Sequence, residues 1–268
     1  MPKKLNPVFS FSSPAKIWNL LTDREAHYLY LELRDEEAHQ VSFTAYDLQV
    51  GELLWDDLHF EEDWWIGLSA AEGKLLVLHT YEDNDNPEIK SFFAVRNDTQ
   101  KIVWQDQRLQ VLDVYQGKLY GFIREDTATS YKSISLETNE QQNLSDREIA
   151  DVLKRASPEN KYIRHPFHYT AEDTYFGTVS RFVQHYLNQQ IKTGCEYLDE
   201  NGLIFISYYL EENKALANYL LVLDKEGELL LHEKLDDQLA NIGLGTFMLA
   251  RDQLIFIKQK RKLLSYAF

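Results

Sequence analysis

A single cysteine, Cys195, stands in the 268-residue chain, so no intrachain disulfide can form. Long apolar runs are also missing. No stretch approaches the roughly 18 consecutive apolar residues of a membrane-spanning helix. Lys3 and Lys4 place positive charge at the start, but residues 8–11 are too short for an export signal and are broken by Ser12, Ser13 and Pro14. A cytoplasmic protein is the expectation. Positive charge is in deficit: 28 Lys and Arg face 43 Asp and Glu, a formal charge of −15. Such a surface repels a phosphate backbone, and no basic stripe offsets it, so no nucleic-acid partner is expected. The basic run at 258–262 reads as a solvated hairpin turn.

Glycine (11) and proline (6) are modest, while 44% of residues are hydrophobic and 26% charged. That balance describes a globular chain with a real core, not a disordered one. Aromatic residues reach 13%, with 16 Tyr and 14 Phe. Those side chains favour half-buried pleated surfaces, and the composition leans towards strands.

The strongest positive feature is a repeat. Residues 45–55, carrying Ala45, Asp47, Gly51 and Trp55, return altered at 94–104 with Ala94, Thr99, Lys101 and Trp104. A looser version covers 218–231, with Leu231 in place of tryptophan, and a degenerate one lies at 133–140. Between these segments, tight-turn signals precede apolar runs at Gly73 and Gly117 and, more loosely, at Gly202, Asp252 and Ala26. Four short strands in each unit of about 40–50 residues is the spacing of a propeller blade.

The pattern predicts an all-β fold, a single β-propeller domain over 1–268 with about six four-stranded blades. Their repeats lie near 22–56, 64–105, 109–143, 160–190, 195–235, and 240–268 completed by 8–20. Ala15, Lys16, Ile17 and Trp18 read as the final strand of the last blade, which would close the ring and remove exposed sheet edges. One inserted helix is expected near 145–156. Ser145 and Glu148 form a capping box, Ile149, Val152, Leu153 and Ala156 follow at helical spacing, and Ser157 and Pro158 end the run. The aromatic stretch 162–186 fits the repeat poorly and reads as a degenerate fourth blade, with strands at 175–179 and 182–186.

The 45–55 segment resembles the tryptophan-docking repeat of quinoprotein-like β-propellers, Ala-x-Asp-x-x-Thr-Gly-Lys-x-x-Trp. Val50 and Glu52 depart from it in the first copy, Arg96 and Gln100 in the second. The chain also looks like an uncharacterised bacterial family of unknown function. The resemblance implies a structural role for Trp18, Trp55 and Trp104, whose indoles would pack between neighbouring blades with the N–H bonded to backbone, supported by Asp47 and Gly51 in the turn. The catalytic quinoproteins of this kind are longer, secreted chains with metal ligands and often adjacent cysteines. With one cysteine and no export signal, this chain is expected to hold no quinone and no other cofactor.

Three constellations bear on chemistry. Glu82, Asp83, Asp85 and Glu88 are dense in oxygen ligands, but the glycine and distant glutamate of a calcium loop are missing, and a solvated hairpin tip is the reading. His165, His168 and His185 contain zinc-type ligands without a shaped set, and Pro166 keeps the first pair off one helix face, so no metal is expected. Asp56, Asp57, Glu61, Glu62 and Asp63 flank Trp64 and Trp65, a carboxylate-and-aromatic grouping that a glycoside hydrolase uses. No nucleophile elbow, phosphate-cradling loop or dinucleotide fingerprint occurs. The expected function is a non-catalytic binding or scaffold propeller with an unknown protein or peptide partner. Its specialised surface is placed at Tyr162, His165, Phe167, His168 and Tyr169. The alternative is a small carbohydrate-active enzyme using channel-mouth carboxylates.

Overall fold

The computed structural model describes residues 5–82, 90–125, 128–156, 162–191 and 193–268. The hairpin tip at 83–88 and the helix stop at Ser157 and Pro158 lie outside them. After β1 (Asn6–Ser12), three antiparallel four-stranded sheets follow in sequence order. The first contains β2 (Lys16–Thr22), β3 (Tyr28–Asp35), β4 (Gln40–Asp47) and β5 (Glu52–Leu58). In the second are β6 (Ile66–Glu72), β7 (Leu75–Tyr81), β8 (Lys90–Arg96) and β9 (Ile102–Asp106). The third has β10 (Gln110–Tyr115), β11 (Lys118–Glu125), β12 (Ala128–Ser135) and β13 (Gln141–Leu144), followed by α1 (Asp146–Ala156). Ser145 caps α1 as its sequence requires: its amide donates to the Glu148 carboxylate at 2.8 Å, and the Glu148 amide returns to the Ser145 hydroxyl at 3.4 Å.

Next come β14 (Ile163–Arg164), β15 (Phe167–Thr170) and α2 (Phe176–Leu187). A fourth sheet is formed by β16 (Gly194–Glu200), β17 (Leu203–Glu212), β18 (Ala215–Asp224) and β19 (Leu229–Leu239), with β15 added beside β16. The fifth holds β20 (Phe247–Ala250), β21 (Gln253–Lys258) and β22 (Lys262–Ala267), with β14 beside β20 and β1 beside β22. The chain divides into two compact units, Ala15–Tyr162 and the combination of Met1–Pro14 with Ile163–Phe268. No helix among the described residues is long and apolar enough to cross a membrane.

The described residues thus contain five sheets, where the spacing predicts six. The difference lies in 160–190. Residues 175–179 and 182–186 do not pair as strands but sit in α2, because Phe176, Val179 and Val183 recur at helical spacing and are the buried residues of that element. Aromatic and β-branched composition alone pointed to strands there, and packing overrode it. The strand added to the last sheet also differs. Residues 6–12 pair antiparallel with β22, Ser12 opposite Lys262, whereas Lys16 to Trp18 open the first sheet.

The repeated turn keeps a left-handed residue in each copy, closed by a backbone bond to the fourth residue before it at Gly51, Gln100 and Asn139 and to the third before it at Gly227. Gly51 (φ 72°), Gln100 (57°), Asn139 (60°) and Gly227 (85°) take the left-handed conformation after the third strand of their sheets. The Asp47 side chain accepts the amides of Gln49 and Val50 at 2.8 and 3.3 Å, and the Gly51 amide returns to the Asp47 carbonyl at 2.9 Å. Gln100 repeats the closing bond to Arg96 at 2.7 Å despite its side chain.

Within each unit, successive sheets meet through apolar faces and a small set of polar links. Trp55 packs with Tyr30, Ile66, Leu76 and Phe93. Its indole N–H donates to the Asn97 carbonyl at 3.1 Å and to the Asn97 side-chain oxygen, across to the turn of the second sheet. Trp104 packs in the same way with Leu109, Val114 and Leu119 of the third. Trp18 is different: it is 63% exposed, and its ring covers the Arg34 guanidinium at 5.4 Å. The same guanidinium lies 5.1 Å from the Trp64 ring.

Carboxylates tie successive sheets by accepting backbone amides. Glu32 of β3 accepts Leu68 N–H at 3.1 Å, Glu72 of β6 accepts Gly117 N–H at 2.7 Å together with that of Gln116, and Glu196 of β16 accepts Gly245 and Thr246 N–H at 2.5 and 2.9 Å. Glu32 is buried and paired with Arg34, which also donates to the Trp64 and Ile66 carbonyls at 3.0 and 2.8 Å. Beside this pair lies buried His79, whose Nδ1 bonds Ser69 Oγ at 2.8 Å. Burial, reinforced by the charges of Lys90 and Arg34, pushes its imidazole down to about 4.

Two outcomes follow. Trp55→Ala should cost about 3–5 kcal/mol in urea unfolding, whereas Trp18→Ala should stay within about 1 kcal/mol, the scale of an exposed cation–π contact. The folded state favours neutral His79, so its contribution is full above the ordinary value of 6.5 and is lost as pH falls towards about 4. That loss is on the order of 3 kcal/mol, at about 1.4 kcal/mol per pH unit. In His79→Gln, the decline in stability over this window should flatten, as followed by unfolding at a series of pH values.

Candidate functional site

In the unit containing the fourth and fifth sheets, α2 lies over one face of the fourth. Phe176, Val179 and Val183 bury against Cys195, Ile206, Tyr208, Leu221 and Leu223. Tyr175 precedes the helix without a side-chain cap, and Asn188 ends it in the left-handed conformation at φ 53°. The helix does not seal the sheet. A groove of about 350 Å³ remains, lined by Tyr169, Tyr175, Val179, Phe182, Tyr197 and Ile206 among others.

Strand pairing explains the lining. Phe167 faces Tyr197 in register and Tyr169 faces Cys195, so these four side chains share the sheet face on which α2 packs. Tyr169 and Tyr175 stand 5.7 Å apart across the groove, and Phe182 and Tyr186 continue the aromatic surface at 4.7 Å. Phe167 and Tyr175 are 65% and 64% exposed. Burial, then the Asp199 charge, raises the Tyr197 phenol above its ordinary value, so it stays protonated and able to donate. Burial also pushes the Cys195 thiol up to about 12, which removes its nucleophilic character.

The expected surface residues separate. Phe167 and Tyr169 reach the α2 side of β15. His168 faces Glu196 in register, on the opposite face, and its buried Nδ1 has no hydrogen-bond partner among the described residues. His165 is exposed in the connection between β14 and β15, and Tyr162 ends the other unit. His185 sits on α2, away from the face that carries His168. Among the described residues no three His, Cys, Asp or Glu side chains are grouped to hold a metal. Of the groove residues, Tyr169 was named from the sequence as part of the expected surface, whereas Tyr175, Tyr197 and Phe182 were not. For Phe182 the signal was the helical spacing of residues 176–187, which the aromatic composition masked.

The carboxylates of the hydrolase reading lie in the unit Ala15–Tyr162, where a cleft of about 950 Å³ opens between the β5–β6 and β9–β10 connections. Glu61 and Glu62 line it; Asp56, Asp57 and Asp63 do not. Asp56 accepts the Thr44 hydroxyl at 2.5 Å and the Asp57 amide at 2.9 Å. One Glu62 oxygen accepts the amides of Trp64 and Trp65 at 3.0 and 2.7 Å. Asp106, also in the cleft, holds the amides of Arg108 and Leu109 at 2.7 and 2.9 Å in the same manner. These are loop-forming uses of a carboxylate, in which the backbone donors fix the side chain.

No curated protein matches this sequence. Among solved structures, an uncharacterized protein of Listeria monocytogenes is similar at 6% identity and a TM-score of 0.39, with 97% of each chain covered. The β-propeller domain of the Trilobed protease from Pyrococcus furiosus is similar at 10% identity and a TM-score of 0.36, covering 96% of this chain and 94% of that one. The AtxE2 isopeptidase is similar at 10% identity and a TM-score of 0.38, covering 94% of this chain, which spans only 50% of the isopeptidase's length. The expected likeness to an uncharacterised family is met in the first two sheets: residues 22–104 match the family described as Domain of unknown function (DUF4905).

Proposed function

We propose that this chain is a non-catalytic binding module that captures a protein or peptide segment against the aromatic groove beside α2. The observation that carries this reading is exposed Tyr175 in the lining of a groove that is already formed, with exposed Phe167 on the same sheet face opposite Tyr197. Large rigid rings at a partly desolvated edge gain contact area on binding at little conformational cost. Two β-strand neighbours and a helix hold the groove's walls, so little ordering is required when a partner arrives.

The finer architecture belongs to the same proposal: one propeller domain over 1–268, its sheets acting as blades and its N-terminal strand completing the last. Blade-sized meanders and the pairing of β1 with β22 support it. The module needs no metal, quinone or other cofactor, and a cytoplasmic setting suits its lone buried thiol.

Selection of a displayed random-peptide library against the full chain tests the reading. Peptides that bind through the groove should weaken about tenfold or more when Phe167→Ser and Tyr175→Ser are combined. Both positions are exposed, so thermal unfolding should be nearly unchanged. Failure to enrich any sequence, or binders indifferent to this double variant, would remove the assignment. Release of reducing ends from a glycoside panel, abolished by Glu61→Gln, would instead favour the hydrolase.

A further inference from the structure

The cleft in the unit Ala15–Tyr162 has a composition unlike that of the α2 groove. Its floor is apolar: Phe60 meets Phe93 edge-on at 5.0 Å, with Ile66, Phe92 and Ile102 alongside. Ile102 is 49% exposed, although the rest of that floor is mainly buried. Four carboxylates surround it, Glu61, Glu62, Glu82 and Asp106, against the single guanidinium of Arg108. Glu61 makes no hydrogen bond among the described residues. Glu62 and Asp106 each use one oxygen for loop amides, and no bond among the described residues reaches the other. One side of the cleft is formed by Ile102, Gln105 and Asp106 of β9, the edge strand of its sheet.

We propose that this cleft is a second binding site, and that its occupant is an extended peptide in which arginine or lysine alternates with apolar residues. Each part of the occupant answers a part of the cleft. Alternate side chains of a strand point to opposite sides. The apolar set covers Ile102 and the phenylalanine floor, and the basic set meets the carboxylates above. The edge of β9 offers main-chain groups for strand addition, which fixes the peptide's direction without reading its sequence. A volume of about 950 Å³ exceeds what one side chain fills, and it lies at the upper end of small-ligand pockets, about 1,000 Å³. The negative rim, on a chain of formal charge −15, steers cations towards the cleft and rejects acidic peptides.

The test is fluorescence anisotropy with a labelled peptide of about ten residues alternating Arg with Phe or Ile, beside analogues carrying Gln or Glu in place of Arg. The arginine peptide should bind most tightly, and its affinity should fall as salt is raised from about 50 to about 300 mM. Charge reversal in Glu61→Lys with Glu82→Lys should weaken it by about tenfold or more, and Ile102→Ser should weaken both the arginine and the glutamine peptides. These positions are exposed, and circular dichroism should show an unchanged fold. Combined Phe167→Ser and Tyr175→Ser should leave this binding intact, which separates this site from the α2 groove. Equal binding of the glutamine or glutamate peptide, indifference to charge reversal, or no binding would overturn the proposal. So would displacement by spermine at the concentration at which unlabelled peptide competes, since a polyamine carries charge without an apolar face.

Discussion

A four-stranded sheet of this length cannot bury its own two faces, so each must be covered by something outside itself. Three carboxylates do more than cover. Glu32 reaches from one sheet to the Leu68 amide of the next, and Glu72 and Glu196 each reach two adjacent backbone amides beyond their own sheet. An apolar contact is indifferent to small slides, whereas a charge-assisted bond to two adjacent amides is satisfied in one register only. These links therefore fix where one sheet sits against its successor, and the tryptophan cores of Trp55 and Trp104 fill the space that the links define. A buried carboxylate left without its amides would be heavily penalised, which makes the arrangement specific as well as stabilising.

Both proposed binding surfaces lie where that regular scheme is interrupted. In one unit, a helix replaces a pair of strands and covers the fourth sheet incompletely, leaving tyrosine rings along its border. In the other, Glu62 and Asp106 anchor backbone amides within the loops that leave β5 and β9. The same residue type thus serves two ends. Where both carboxylate oxygens are engaged, as in Glu72 and Glu196, the side chain is structural. In Glu62 and Asp106, where one oxygen is engaged and the residue lines the cleft, the side chain is an anchor that also brings negative charge to that surface.

Much of the framework was legible because turns and pleats are local. The 45–55 and 94–104 copies both form a left-handed turn closed by a backbone bond, although Gln100 stands where Gly51 does. Ser145 and Glu148 fixed the start of α1 in a few residues of sequence. The α2 segment was misread because its aromatic content has high strand propensity, and only its burial against Cys195 and Ile206 shows which period matters. Trp18 resembles Trp104 in its sequence neighbours, but its indole is exposed and lies over the Arg34 guanidinium instead of entering an apolar core.

Sequence alone determined the strand-rich class, the meander repeat, the turn residues and the absence of disulfides, because each follows from local propensity, periodicity or simple counting. Tertiary structure decided which carboxylates hold loops and which face open space, that β1 rather than residues 15–18 joins β22, and that Tyr169, Tyr175 and Tyr197 line one groove. Those facts depend on residues distant in the chain meeting at particular distances and orientations. Spacing along a sequence carries no record of such meetings.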